Sequence, residues 1–178
     1  GVGKSTVSVN LATAFAQLGR RTLLLDADLG LANADVLLGI TPKYTLAHVI
    51  RGERTMQEII IDAPQGFKLV PAASGIAQLA ALSAAEHLGI VRELAGVCAD
   101  LETLVVDTPA GIAPGMLQMV QAAQHVLVVV CDEPASITDA YALIKVLSRN
   151  HGVGKFQVLA NMTRERGQGR RLFETLSR

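Results

Sequence analysis

The sequence predicts a doubly wound α/β fold, with a mostly parallel sheet and helices on both of its faces. Apolar runs recur at 22–26, 67–71, 104–107, 126–131 and 156–160, and stretches with helical spacing separate them. None of the runs alternates with period two, as a strand with one wet face would. Continuous Val and Leu runs suit strands covered on both sides, which is the condition of a parallel sheet.

Each element has a local reason. Val7, Leu11, Ala14, Phe15 and Leu18 fall on one helical stripe, with Gly19 placed for a left-handed C-cap, so a first helix is expected over 4–18. The run at 22–26 follows as a strand. Ser83 with Glu86 three residues later reads as a capping box opening a helix over 83–98, with Leu88, Val91, Leu94 and Ala95 as its apolar stripe. A further helix is expected over 135–149, with Ile137, Tyr141, Ile144 and Leu147 facing inward. Arg170 and Arg171 begin a solvated helix that continues through 172–176. The sequence carries no internal repeat, low-complexity segment or linker.

Bulk properties narrow the function. At 178 residues, half of them apolar, the chain is expected to form a single domain over 1–178. Sixteen basic residues balance sixteen acidic ones, so no overall field draws it to nucleic acid or to an anionic membrane. Cys98 and Cys131 form no CxxC pair and read as apolar filling in a reduced, cytoplasmic protein. No apolar run approaches the roughly 18–20 residues of a membrane span. Two Tyr, four Phe and no Trp make a base-stacking platform for single strands a poor fit. The four histidines lack metal-ligand spacing.

The chemistry is concentrated at the start. Gly1, Val2, Gly3, Lys4, Ser5 and Thr6 match the second half of the phosphate-loop pattern G-x-x-x-x-G-K-[ST]. Glycines let backbone N–H groups wrap phosphates, the helix beginning near Lys4 turns its positive end toward them, and the Lys4 ammonium neutralises β and γ oxygens. Ser5 would supply a hydroxyl ligand to Mg2+, and ATP is the expected nucleotide. The alternative is a glycine-rich turn with a surface lysine. A P-loop ordinarily follows a strand, so the first strand is expected upstream of Gly1, and the chain reads as a fragment cut at both ends.

Carboxylates at strand ends support the P-loop reading. In α/β sheets, ligands sit at the carboxyl ends of the strands. Asp107 closes an apolar run in the Walker B manner and is the candidate for holding magnesium through water, or else it caps the following turn. Thr108 and Gly111 would belong to a segment sensing the γ-phosphate. Asp26 and Asp28, one residue apart, would share a face of the sheet; one assists the metal while the other orients an attacking water, or both form a solvated turn. Asn161, past the last run, either recognises adenine through its amide or forms a turn.

Four strings resemble the deviant Walker A ATPases of the MinD/ParA class, within the SIMIBI P-loop NTPases: GVGKST, DADLGLANADVLLG from Asp26, DTPAG from Asp107 and CDEPASITDAYALIKVLSRNHG from Cys131. The last string makes the likeness closest to the flagellar number and placement regulators of the FlhG/FleN/YlxH type. The resemblance implies an ATP-driven switch that forms a homodimer around two nucleotides and is released by slow hydrolysis. It implies that Lys4 is the P-loop lysine, Ser5 a magnesium ligand and Thr6 an α-phosphate contact. Asp28 would position water with Asp26 in support, Asp107 would be the switch II carboxylate, and Asn161 would contact the base. The partners implied are a flagellar transcription activator and a flagellar placement GTPase. They also include the inner face of the plasma membrane, reached through a C-terminal helix of the full-length protein and not through this chain. Specific nucleic-acid binding is not implied. The family's signature lysine would lie two residues before Gly1. A nucleotide-gated scaffold without turnover is the alternative, as is a DNA-partition ATPase using arginines at 164–171. Iron–sulfur and metal-delivery relatives of the fold are disfavoured by the placement of the two cysteines.

Overall fold

Thr22–Asp26 (β1) is buried at every residue, as its uninterrupted Leu23, Leu24 and Leu25 require, and it occupies an inner position of a four-stranded sheet. The computed structural model describes residues 1–28, 33–72, 84–111 and 114–177. In chain order these form α1 (Lys4–Gln17), β1, α2 (Ala34–Leu38), α3 (Leu46–Ile50), α4 (Met56–Ile59), β2 (Ile61–Asp62) and β3 (Lys68–Val70). Then come α5 (Ala84–Val97), β4 (Thr103–Asp107), α6 (Pro114–Ala122), β5 (Leu127–Val130), α7 (Pro134–His151), β6 (Gln157–Ala160) and α8 (Gln168–Leu176).

The residues group into two compact units, Lys4–Pro109 and Gly1–Gly3 with Ala110–Arg178. In the first unit the strand order is β2-β3-β1-β4; β1 runs parallel to both neighbours, and only the short β2 is antiparallel. In the second, β5 and β6 pair in parallel from Leu127↔Gln157 to Val130↔Ala160. The sheet is mostly parallel with helices on both sides, the predicted fold class.

Each unit has its own core. Leu24, Leu69, Phe67 and Ala12 pack together in the first, with Ala34 and Leu38 of α2. Val128, Val130, Ala140, Leu172 and Leu176 do so in the second. The five predicted strands form at their expected places, each within a residue or two of its predicted ends.

The four expected helices form as α1, α5, α7 and α8, but some of their faces differ, and α6 is a further helix that the sequence reading did not include. In α1 the buried side is Ala12 with Val9 and Ala16, while Leu18 is 75% exposed. Small residues let this helix approach the sheet closely, so the larger side chains of the predicted stripe sit to one side. In α7 Leu147 is buried and Ile137 and Ile144 pack against the second core as expected, with Ser136 and Ala140 buried beside them, whereas Tyr141 is exposed with Lys145 over its ring. In α5 Ile90 and Leu94 are buried and Ala95 is exposed. Ser83, one half of the expected capping box, lies outside the described residues, as does the side chain of Leu88. Cys131 is buried and Cys98 half-buried, and both are free thiols. Among the described residues no helix is long and apolar enough to cross a membrane.

Candidate functional site

The pairing of β1 with β4 sets the geometry of the carboxylates. Their register runs from Thr22↔Thr103 to Asp26↔Asp107, so the two aspartates end adjacent strands side by side. The backbone N–H of Ala27 continues the ladder by donating to Asp107 O at 2.8 Å. Both side chains are almost completely buried, Asp26 at 1% and Asp107 at 2% exposure.

The two carboxylates are used differently. Asp26 organises the segment that follows it: Oδ1 accepts from Asp28 N at 3.1 Å, and Oδ2 accepts from Asn33 N and Ala34 N, each at 3.2 Å. The last two donors open α2, so Asp26 ties the beginning of that helix to the end of β1. Burial pushes the Asp26 carboxyl up to about 6; the Asp107 charge adds to this, and the three backbone N–H groups oppose it.

Asp107 faces α1. The Ser8 hydroxyl donates to its Oδ1 at 3.1 Å, whereas Oδ2 is buried with no hydrogen-bond partner among the described residues. Burial raises the Asp107 carboxyl above the usual carboxylate range; the hydroxyls of Ser5 and Ser8 and the charge of Lys4 oppose the rise, and Asp28 adds to it. Lys4, Ser5, Asp28 and Asp107 are thus brought together in one electrostatic neighbourhood. A buried carboxylate oxygen without a partner is costly unless a cation or donor meets it. Carboxylate and hydroxyl oxygens are the donors a hard divalent cation such as Mg2+ takes, with phosphate and water supplying its remaining ligands.

Within the other unit, the Asn161 side chain reaches the phosphate loop. Its Nδ2 donates to Val2 O at 2.9 Å, and its backbone N–H donates to Val130 O at 2.8 Å, extending the β5–β6 ladder. Gly3 adopts φ +84°, and a Cβ there would stand 2.6 Å from Asn161 Nδ2, so position 3 requires glycine twice over. The amide predicted to recognise a base therefore also straps the loop. Gly1 and Thr6 are exposed. Thr108 is half-buried after β4, and Gly111 takes φ +97°.

Ser8 in the first unit and Met162 in the second escape the sequence reading. Ser8 carried a signal, since it lies three residues after Ser5 and shares its helix face. Met162, next to Asn161, is left-handed at φ 56°, and nothing in the sequence marks it.

Comparison with known proteins gives the family. The AAA domain family profile (AAA_31) matches residues 1–157. The antiactivator FleN of Pseudomonas aeruginosa is 55% identical over 178 residues, covering 100% of this chain and 64% of FleN. The flagellum site-determining protein YlxH of Helicobacter pylori is 39% identical over 176 residues, covering 99% of this chain and 59% of YlxH. The chain therefore spans less than two thirds of the length of these relatives. Among solved structures, the MinC:MinD cell division protein complex of Aquifex aeolicus matches with a TM-score of 0.82 at 28% identity, covering 99% of this chain and 74% of that one. The chain belongs to the AAA domain family, and within it to the MinD/ParA class of P-loop proteins that includes the flagellar regulators of the FlhG type.

Proposed function

We propose that this chain is the ATPase domain of a regulatory switch that controls flagellar number and placement. It would bind ATP with Mg2+, dimerise around the nucleotide and slowly hydrolyse it to ADP and phosphate. The observation that carries the reading is the buried Asp107 carboxylate, one oxygen of which has no hydrogen-bond partner among the described residues while Lys4 and Ser5 act on the same carboxyl. The 55% identity with an antiactivator supports the flagellar role.

In this reading residues 1–178 act as a single P-loop domain. Gly1, Val2, Gly3, Lys4 and Thr6 cradle the phosphates, and Ser5 with Asp107 would hold the metal, which when bound neutralises phosphate charge. Lys4 stabilises charge on the phosphates, Asp28 orients the attacking water, and Asp26 holds the segment that carries Asp28. Thr108 and Gly111 respond to the γ-phosphate, and Asn161 meets the base. Restraint of a flagellar transcription activator, cooperation with a flagellar placement GTPase and peripheral membrane association belong to the full-length protein in the cytoplasm.

Light scattering and phosphate release on the full-length protein test this proposal. ATP is expected to double the mass of the parent, Asp28→Ala to trap the dimer without turnover, and Lys4→Ala to abolish both responses. If ATP changes neither mass nor phosphate, the switch reading fails and a scaffold without turnover replaces it.

A further inference from the structure

Ser8 uses its hydroxyl differently from the helical threonines of the chain. Thr13 donates to Val9 O at 2.8 Å, and Thr138 and Thr175 donate to Pro134 O and Arg171 O, each at 2.9 Å. All three turn back to the carbonyl four residues earlier, the ordinary local use of a hydroxyl within a helix. Ser8 instead donates to Asp107 Oδ1 at 3.1 Å, from α1 to the end of β4, two elements of the same compact unit.

The Asp107 main chain is fixed independently of this bond, by the β1–β4 register and by Ala27 N donating to Asp107 O at 2.8 Å. Its carboxylate is not. Rotation about the last side-chain bond exchanges the two oxygens, so the Ser8 bond sets which of them is restrained and which is left open. The open one, Oδ2, is buried without a hydrogen-bond partner among the described residues. A carboxylate kept for stability alone has both oxygens met, as the neighbouring Asp26 has, because a buried oxygen left unmet is costly. One oxygen restrained by a donor and the other left dry is how a carboxylate ligand to a hard cation is oriented by an outer group.

We propose that Ser8 is the positioning residue for the metal-facing carboxylate: its hydroxyl restrains Oδ1 of Asp107 and so keeps Oδ2 for the Mg2+ that accompanies the nucleotide. Ser8 acts in this role through Asp107 and not by contact with the metal. The proposal rests on the nucleotide-binding reading above and adds to it the residue that orients the carboxylate.

The test is titration calorimetry of the full-length protein with ATP, with and without Mg2+, on the parent, Ser8→Ala and Ser8→Thr, each measured well below its own melting temperature. Ser8→Ala removes the donor and Ser8→Thr keeps a hydroxyl. Ser8→Cys, a weak donor of similar shape, takes the place of Ser8→Ala if that variant does not fold. In Ser8→Ala the affinity gained on adding Mg2+ is expected to shrink about tenfold, the lower end of what losing an outer partner of a metal ligand costs, while metal-free ATP binding is unchanged. Ser8→Thr should recover most of the gain. An undiminished Mg2+ gain in Ser8→Ala would overturn the proposal. So would equal loss of ATP affinity with and without metal, which marks a structural role alone, or a Mg2+ gain in Ser8→Thr as small as in Ser8→Ala. A parent whose ATP affinity does not respond to Mg2+ would instead overturn the reading of a nucleotide bound with metal, and the proposal with it.

Discussion

Asp26 and Asp107 stand opposite each other at the ends of adjacent parallel strands, both buried, yet the Asp26 oxygens are engaged by backbone N–H groups while one Asp107 oxygen has no partner among the described residues. Two carboxylates so close resist joint ionisation unless a cation compensates. The two carboxylates differ accordingly: Asp26 accepts from the backbone of Asp28 and of the start of α2, whereas Asp107 is bonded by Ser8 through one oxygen alone among the described residues.

That arrangement predicts an inverted pH dependence for the metal-free protein. The Asp26 carboxyl is raised from 3.8 to about 6, so the folded state binds a proton more tightly than the unfolded chain does. The stabilisation this supplies is complete below pH 3.8 and is lost as pH rises through about 6. Its size is on the order of 3 kcal/mol. Urea denaturation without Mg2+, compared between the parent and Asp26→Asn, should show the parent losing stability across this window and the variant losing less. A parent whose stability rises with the same slope through the window would contradict the assignment.

The strap between Asn161 and Val2 predicts a stability effect and a binding effect. Asn161→Ala should cost about 1 kcal/mol by thermal denaturation, the worth of an ordinary hydrogen bond, and should weaken ATP as the loop loosens. Gly3→Ala should cost more than about 1 kcal/mol because it combines unfavourable φ with a Cβ driven into the Asn161 amide. Melting temperatures equal to the parent's in both variants would refute the strap.

Much of this was legible before folding, and the exceptions have physical causes. β1 and β5 were evident because runs such as Leu23–Leu25 and Val128–Val130 leave no wet face. The P-loop was evident because few other uses join glycines, lysine and a hydroxyl at that spacing. The short α2, α3, α4 and β2 were not anticipated: each spans two to five residues, too few for a period to show. α3 and α4 are instead defined by local caps, Thr45 with His48 and Thr55 with Glu58. The face of α1 departs from the expected stripe because close packing against a sheet favours Ala12, and in α7 the departure is confined to Tyr141, which is exposed while Ile137, Ile144 and Leu147 face the core. The partner of Val2 lies 159 residues away in Asn161, a contact that tertiary structure alone makes.

Ser8 gives a sharper test of how Asp107 is held. Ser8→Ala removes the donor to Oδ1 and leaves a second buried oxygen unpartnered, which should destabilise the metal-free protein by about 1–3 kcal/mol. Asp107→Asn in the same background should recover part of the loss by removing the buried charge. A double-mutant cycle by chemical denaturation measures the coupling, and additive effects would separate the two side chains energetically.

Leu24 anchors the core beneath the site at 0% exposure, among Ala12, Phe67 and Leu69. Leu24→Ala should cost 2–5 kcal/mol, on the scale of other buried leucines. A loss below about 1 kcal/mol in urea denaturation would mean that the first unit's core lies elsewhere.

The most direct test of the central claim is the Mg2+ dependence of ATP binding to the full-length protein, measured by titration calorimetry on the parent and on Asp107→Asn. The account predicts that Mg2+ tightens ATP on the parent by about tenfold or more, equivalent to 1.4 kcal/mol or more, and that Asp107→Asn loses most of that gain while still binding ATP without metal. Equal affinity with and without Mg2+ on the parent, or an undiminished Mg2+ effect in Asp107→Asn, would contradict it.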